Sequence, residues 1–180
     1  MRGNVPLTGN AVEKLELLEE EVFLILNAGE IPEVAFHGSL YYLTQALDGP
    51  RMELEPEDRE RLTDAVVSCY RRIILRDLTP ENRDRRAYRG LARCAVNVRR
   101  LLSFAAREGK DVSGLNREIA HALIGFLTRE WDDVINGRRK SSINCPYEEL
   151  LWLVGVLGIS LDVLPHGIAS LFPPSRGLAV

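Results

Sequence analysis

The sequence predicts an all-α protein, a compact bundle of about six helices, and three observations carry that reading. Apolar residues recur at helical spacing in every long segment, no stretch alternates polar and apolar residues over a strand's length, and start and stop residues bracket each periodic run. With 180 residues, 46% of them hydrophobic and 27% charged, the chain has apolar material for one well-cored domain rather than two. The expected organisation is a single helical domain over 1–172 and a mobile tail, PPSRGLAV, over 173–180.

The first helix is signalled by Asn10 followed by Glu13, the pattern of a capping box, with Leu15, Leu18, Val22 and Ile25 behind it until Gly29. Pro32 opens the second, whose apolar stripe is Phe36, Leu40, Leu43 and Leu47, closed by Asp48-Gly49-Pro50. Pro56, Glu57 and Asp58 start the third, with Leu62, Val66, Cys69 and Ile73 on one face and an end at Leu78. The fourth is the longest, about 80–108: Thr79 offers a capping hydroxyl, Pro80 suits the first turn, Glu81 complements the dipole, and Gly109 stops it. A connection of about two residues makes it an antiparallel neighbour of the third.

Asp111 or Ser113 caps the fifth helix, about 113–136, where Ile119, Leu123, Ile124, Phe126 and Leu127 cover enough of the circumference to predict a largely buried, central element. Asn136-Gly137 ends it. Asn144 and Pro146 introduce a sixth helix reaching about Gly158, and a short turn over 160–164 is stopped by Pro165. The segment 150–161, LLWLVGVLGISL, is almost wholly apolar, yet twelve residues fall short of the roughly twenty needed to span a bilayer, so no membrane span is expected. The N-terminal MRGNVPLTGN has no apolar run of the signal-peptide kind, and the expected location is cytoplasmic.

Charge is distributed unevenly. Residues 1–60 carry four basic and thirteen acidic side chains, a net of minus nine, whereas residues 71–110 carry twelve basic and four acidic, a net of plus eight. On the long helix Arg86, Arg89, Arg93, Asn97 and Arg100 project into one arc, opposite Tyr88, Leu91, Ala95, Val98 and Leu102. Guanidinium groups one turn apart repel unless anions lie between them; the chain's own carboxylates are the expected anions, and a phosphate backbone is the alternative, which makes this stripe the nucleic-acid candidate. No zinc-finger or RNP-like motif accompanies it.

Two further features carry functional expectations. Glu118 and His121 form a single Glu-x-x-His on the fifth helix, where carboxylate-bridged metal proteins use two such motifs. Glu33 and His37, spaced i and i+4 on the second helix, are the nearest partners for a divalent metal, and Gly125 would leave room for a ligand beside His121. No cofactor is expected. The apolar sixth helix is expected in the core beside the fifth; the alternative is a surface for a protein partner or a homodimer, since Trp152, Val156 and Ile159 fall on one side of it, with Gly155 and Gly158 as flat places for another helix. Cys69, Cys94 and Cys145 lack CxxC spacing and read as reduced thiols.

No nucleophile, base and orienting acid share a recognisable spacing, and GxSxG, GxGxxG and GxxxxGK[ST] loops are absent. The expected function is a non-enzymatic helical interaction or regulatory module. Its alternatives are a metal or small-molecule binding bundle enzyme and a nucleic-acid binder.

Overall fold

A computed structural model describes residues 25, 27, 28, 40, 44, 47, 54–79, 87–138 and 147–170, with residues 87–90 and 147 described by their backbone alone. Among these residues 82% are helical and none lies in a strand, which establishes the class as all-α. The helices are α1 (Pro56–Asp77), α2 (Ala87–Arg107), α3 (Ser113–Ile135), α4 (Tyr147–Val156) and α5 (His166–Ala169), with a single 3-10 turn at Leu161–Val163. None of the described helices is long and apolar enough to cross a membrane.

Backbone proximity divides the chain into two compact units, residues 1–70 and 71–180, and the boundary falls inside α1. In the first unit Ile25, Leu40, Thr44 and Leu47 are helical and buried, as are Leu62, Ala65, Val66, Cys69 and Tyr70 along α1. Pro56 starts α1 because its missing N–H costs nothing in a first turn, and Glu57 and Asp58 face the positive end of the dipole. Arg59 donates from its guanidinium to the carbonyl of Leu47 at 3.0 Å. The expected starts of the first two helices, the stretch 80–86 and the tail 173–180 lie outside the described residues.

In the second unit α2 packs against α4, and α3 packs against the short α5. The core is supplied by Ile73 and Ile74 of α1, Leu91, Val98 and Leu101 of α2, Ile119, Leu123, Phe126 and Leu127 of α3, and Leu150 and Leu153 of α4. Asp111 starts α3 by accepting from the backbone N–H of Ser113 at 2.9 Å and from its hydroxyl, and these bonds hold the Asp111 carboxyl below its ordinary range. Gly109, Gly137 and Gly158, each just past a helix end, have φ of 65°, 66° and 64°, the left-handed geometry that closes a helix and that glycine adopts without steric cost.

Pro165 does more than end the preceding turn. It sits at the N-cap of α5, an element absent from the sequence expectation, and its carbonyl accepts from the N–H groups of Ile168 and Ala169. The missing N–H and the ring clash that bar proline from a helix interior cost nothing at this entry position. Buried Ile168 and the contact of Gly167 with Trp131 hold the four-residue helix in place.

Candidate interaction surface

The arginine-rich α2, described over 21 residues where about 80–108 was expected, has one buried and one exposed side, but the boundary is rotated from the arc expected of its sequence. Cys94, Ala95, Val98, Leu101, Phe104 and Ala105 are buried, and so is Asn97, which the projection had grouped with the arginines. Solvent reaches Arg93, Val96, Arg99, Arg100, Ser103 and Arg107. The described part of the stripe, Arg93, Asn97 and Arg100, therefore straddles the edge of the buried side.

That placement explains the pairing of Arg93 with Asp77 in the last turn of α1, at 3.3 Å. The Asp77 side chain is only 5% exposed, and a carboxylate so placed requires a cation. Leu78 follows, and its carbonyl accepts from the Arg129 guanidinium of α3 at 3.3 Å, while the Arg76 carbonyl accepts from the Thr79 hydroxyl at 2.8 Å. Two arginines thus face the negative end of the α1 dipole. Beside them the Cys94 thiol is pushed up to about 12, first by burial and then by the Asp77 charge, which makes it an unreactive core side chain. Arg86 lies outside the described residues, as does the side chain of Arg89.

On α3, Glu118 is held by Arg71 of α1 through two hydrogen bonds, Nε to Oε2 at 2.7 Å and Nη2 to Oε1 at 2.5 Å. These bonds hold the Glu118 carboxyl below its ordinary range and raise the Arg71 guanidinium. Both carboxylate oxygens accept from this guanidinium, so a metal at Glu118 would have to compete with a bidentate cation. His121 is exposed, as are Arg117, Thr128 and Asp132 on the same stripe, so this stripe is the solvent edge of the helix. The space over Gly125 holds the Arg129 guanidinium, with Nη1 3.5 Å from where a Cβ would stand. No group of three His, Cys, Asp or Glu side chains able to hold a metal occurs among the described residues, which do not include Glu33 and His37.

The sixth predicted helix, α4, has a different character. Past Glu149 its side chains are apolar or aromatic, so the part of it that reaches the surface is apolar. Leu150, Leu153 and Val154 are buried; Leu151 and Trp152 are half-buried; Gly155 and Val156 are exposed, Val156 at 39%. Ile159, just beyond the helix, is buried, so the three expected interface residues divide between surface and interior. A Cβ added at Gly155 meets nothing within 4 Å, leaving bare helix backbone open to a neighbour. Arg99 of α2 lies over the Trp152 ring, 4.4 Å from its centroid, a cation–π contact that sets a positive charge beside this half-buried indole. The sequence offered no signal for it, because the two residues lie on different helices whose packing sets the contact.

A family model described as a repeat of unknown function, DUF7826, matches residues 13–159. The chain belongs to that family. The DUF7826 match takes in α1, α2, α3 and α4, including the exposed face of α4, and ends before the 3-10 turn and α5. Comparison with curated proteins and with solved structures returned no match.

Proposed function

We propose that the protein is a non-enzymatic helical interaction module, a bundle of about six helices, that docks another copy of its own fold through the exposed side of α4. The observation that carries this reading is the apolar surface of Leu151, Trp152, Gly155 and Val156 on a helix whose side chains past Glu149 are apolar or aromatic. The family description adds support, because repeat units characteristically bury an apolar face against a neighbouring unit. Self-association in the cytoplasm is the simplest form of the proposal.

The metal reading has less support, since Glu118 is engaged with Arg71 and His121 points to solvent. The nucleic-acid reading likewise loses ground where Arg93 is committed to the Asp77 carboxylate.

Native mass spectrometry of the untagged protein over a range of concentrations tests the proposal. Wild type is expected to form species of more than one copy, and Val156→Asp to remain a single folded copy with unchanged helical circular dichroism. Identical distributions for the two proteins would sink the α4 interface. A metal-sized mass increment lost in His121→Ala would restore the metal reading.

A further inference from the structure

The DUF7826 match ends at residue 159, and residues 160–170, which follow it, have an inner and an outer side. Leu164 and Ile168 are buried, and Gly167 lies flat against the Trp131 indole of α3, whose ring takes up the space a Cβ would need. Ser160, Asp162, His166 and Ser170 are exposed, and Val163 is the large apolar side chain among them. A 3-10 turn and a four-residue helix are too short to persist alone, so the segment owes its form to the surface beneath it. That surface continues beyond the segment, because Ile135, one turn past Trp131 on the same side of α3, is 64% exposed. A unit that stopped where the family match stops would leave the Trp131 side of α3 open.

We infer that residues 160–170 are a cap: within their own chain they occupy a second docking face, on α3 around Trp131, that without them would receive the α4 face of a neighbouring copy. The inference rests on the interaction reading above and sets its limit. Repeat units bury one face against the next unit, and an end unit carries a polar outer layer that stops the stack. Ser160, Asp162, His166 and Ser170 supply that layer here. With the cap seated, copies meet α4 to α4, the same patch on both, and association closes at two. With the cap released, α4 of one copy meets α3 of the next. Such a contact uses two different patches, so each added copy leaves one of each open, and growth passes two unless the rotation closes a ring.

Native mass spectrometry of full-chain variants tests the cap. Ile168→Asp puts a charge at a fully buried position that holds α5, and it is expected to unseat the segment while the other helices stay folded. Unseating is read as new chymotrypsin cleavage after Leu161 and Leu164, with helical circular dichroism nearly unchanged. Wild type is expected to stop at two copies and Ile168→Asp to pass beyond two. Adding Val156→Asp to Ile168→Asp is expected to return it to a single copy. An unseated Ile168→Asp that still stops at two overturns the cap inference and leaves the α4 interface standing, whereas single copies of both wild type and Ile168→Asp remove both ideas. Wild type passing beyond two, or a double variant that assembles as far as Ile168→Asp, overturns the inference. Should Ile168→Asp lose its helical signal or stay uncleaved, Gly167→Ala replaces it, because one methyl group pushes α5 off the Trp131 ring. Faster cleavage and growth beyond two are then expected at concentrations where wild type is a pair, and an unchanged pair overturns the inference.

Discussion

α3 and α4 are both rich in apolar residues, yet they end up in different surroundings. On α3 the fully buried positions are Ile119, Leu123, Phe126, Leu127 and Glu130, and between them lie polar side chains with identified partners: Glu118 on Arg71, Arg129 on the Leu78 carbonyl, and the Thr128 hydroxyl on the Ile124 carbonyl at 2.9 Å. On α4 only apolar or aromatic side chains follow Glu149, and the outward side keeps Trp152 half-buried and Val156 exposed. Apolar content alone does not decide burial. What matters is whether a helix's second side has polar groups to offer water or neighbours, and α3 does while α4 does not.

The largest expected effect separates the two helices directly. Phe126→Ala, which empties a 2%-exposed site on α3, is expected to cost about 3–5 kcal/mol, whereas Val156→Ala on the outward side of α4 should stay within about 0.5 kcal/mol in the monomer. Urea titration of both variants checks the contrast, and an equal loss would mean that Val156 has hidden packing partners.

Next come two glycines of opposite expectation. At Gly167 the Trp131 indole occupies the space a Cβ would fill, so Gly167→Ala should destabilise by about 1–3 kcal/mol through displacement of the ring. At Gly155 nothing stands within 4 Å, and alanine inside a helix should add roughly 0.4–1 kcal/mol. Thermal melts of the pair should move in opposite directions.

The smallest effect belongs to the Arg71–Glu118 pair, whose side chains are 48% and 40% exposed. At that exposure the pair contributes no more than about 0.2–1 kcal/mol, and less in salt. The Glu118 carboxyl is held low in the folded protein, so its contribution is fully present above the unfolded-state carboxyl range and disappears as pH falls through the lowered folded value. Wild type and Glu118→Gln should therefore differ slightly at neutral pH and converge in acid; a difference that widens in acid would contradict the assignment.

Local chemistry made much of this legible beforehand. Pro56 and Gly109, Gly137 and Gly158 mark helix ends because proline's missing donor and glycine's access to positive φ act within a few residues. Asn97 and Arg93 were not legible in the same way. Projection grouped them on one face, but the rotation of α2 is set by what it packs on, and that brings Arg93 to a carboxylate on another helix and takes Asn97 inside. Glu118 looked like half of a metal motif because the guanidinium that holds it is 47 residues away in the chain. The alcove expected at Gly125 contains a side chain from its own helix, one turn on, whose direction depends on the Leu78 carbonyl it reaches.

The two tryptophans stand in positions that make them separate optical reporters. Trp131, packed on Gly167, should sense the seating of α5 on α3, and Trp152, under Arg99 on the open side of α4, should sense whatever covers that side. Removal of water from around Trp152 would shift its emission to the blue while Trp131 stays constant, so Trp131→Phe yields a protein whose single fluorophore reads docking in real time.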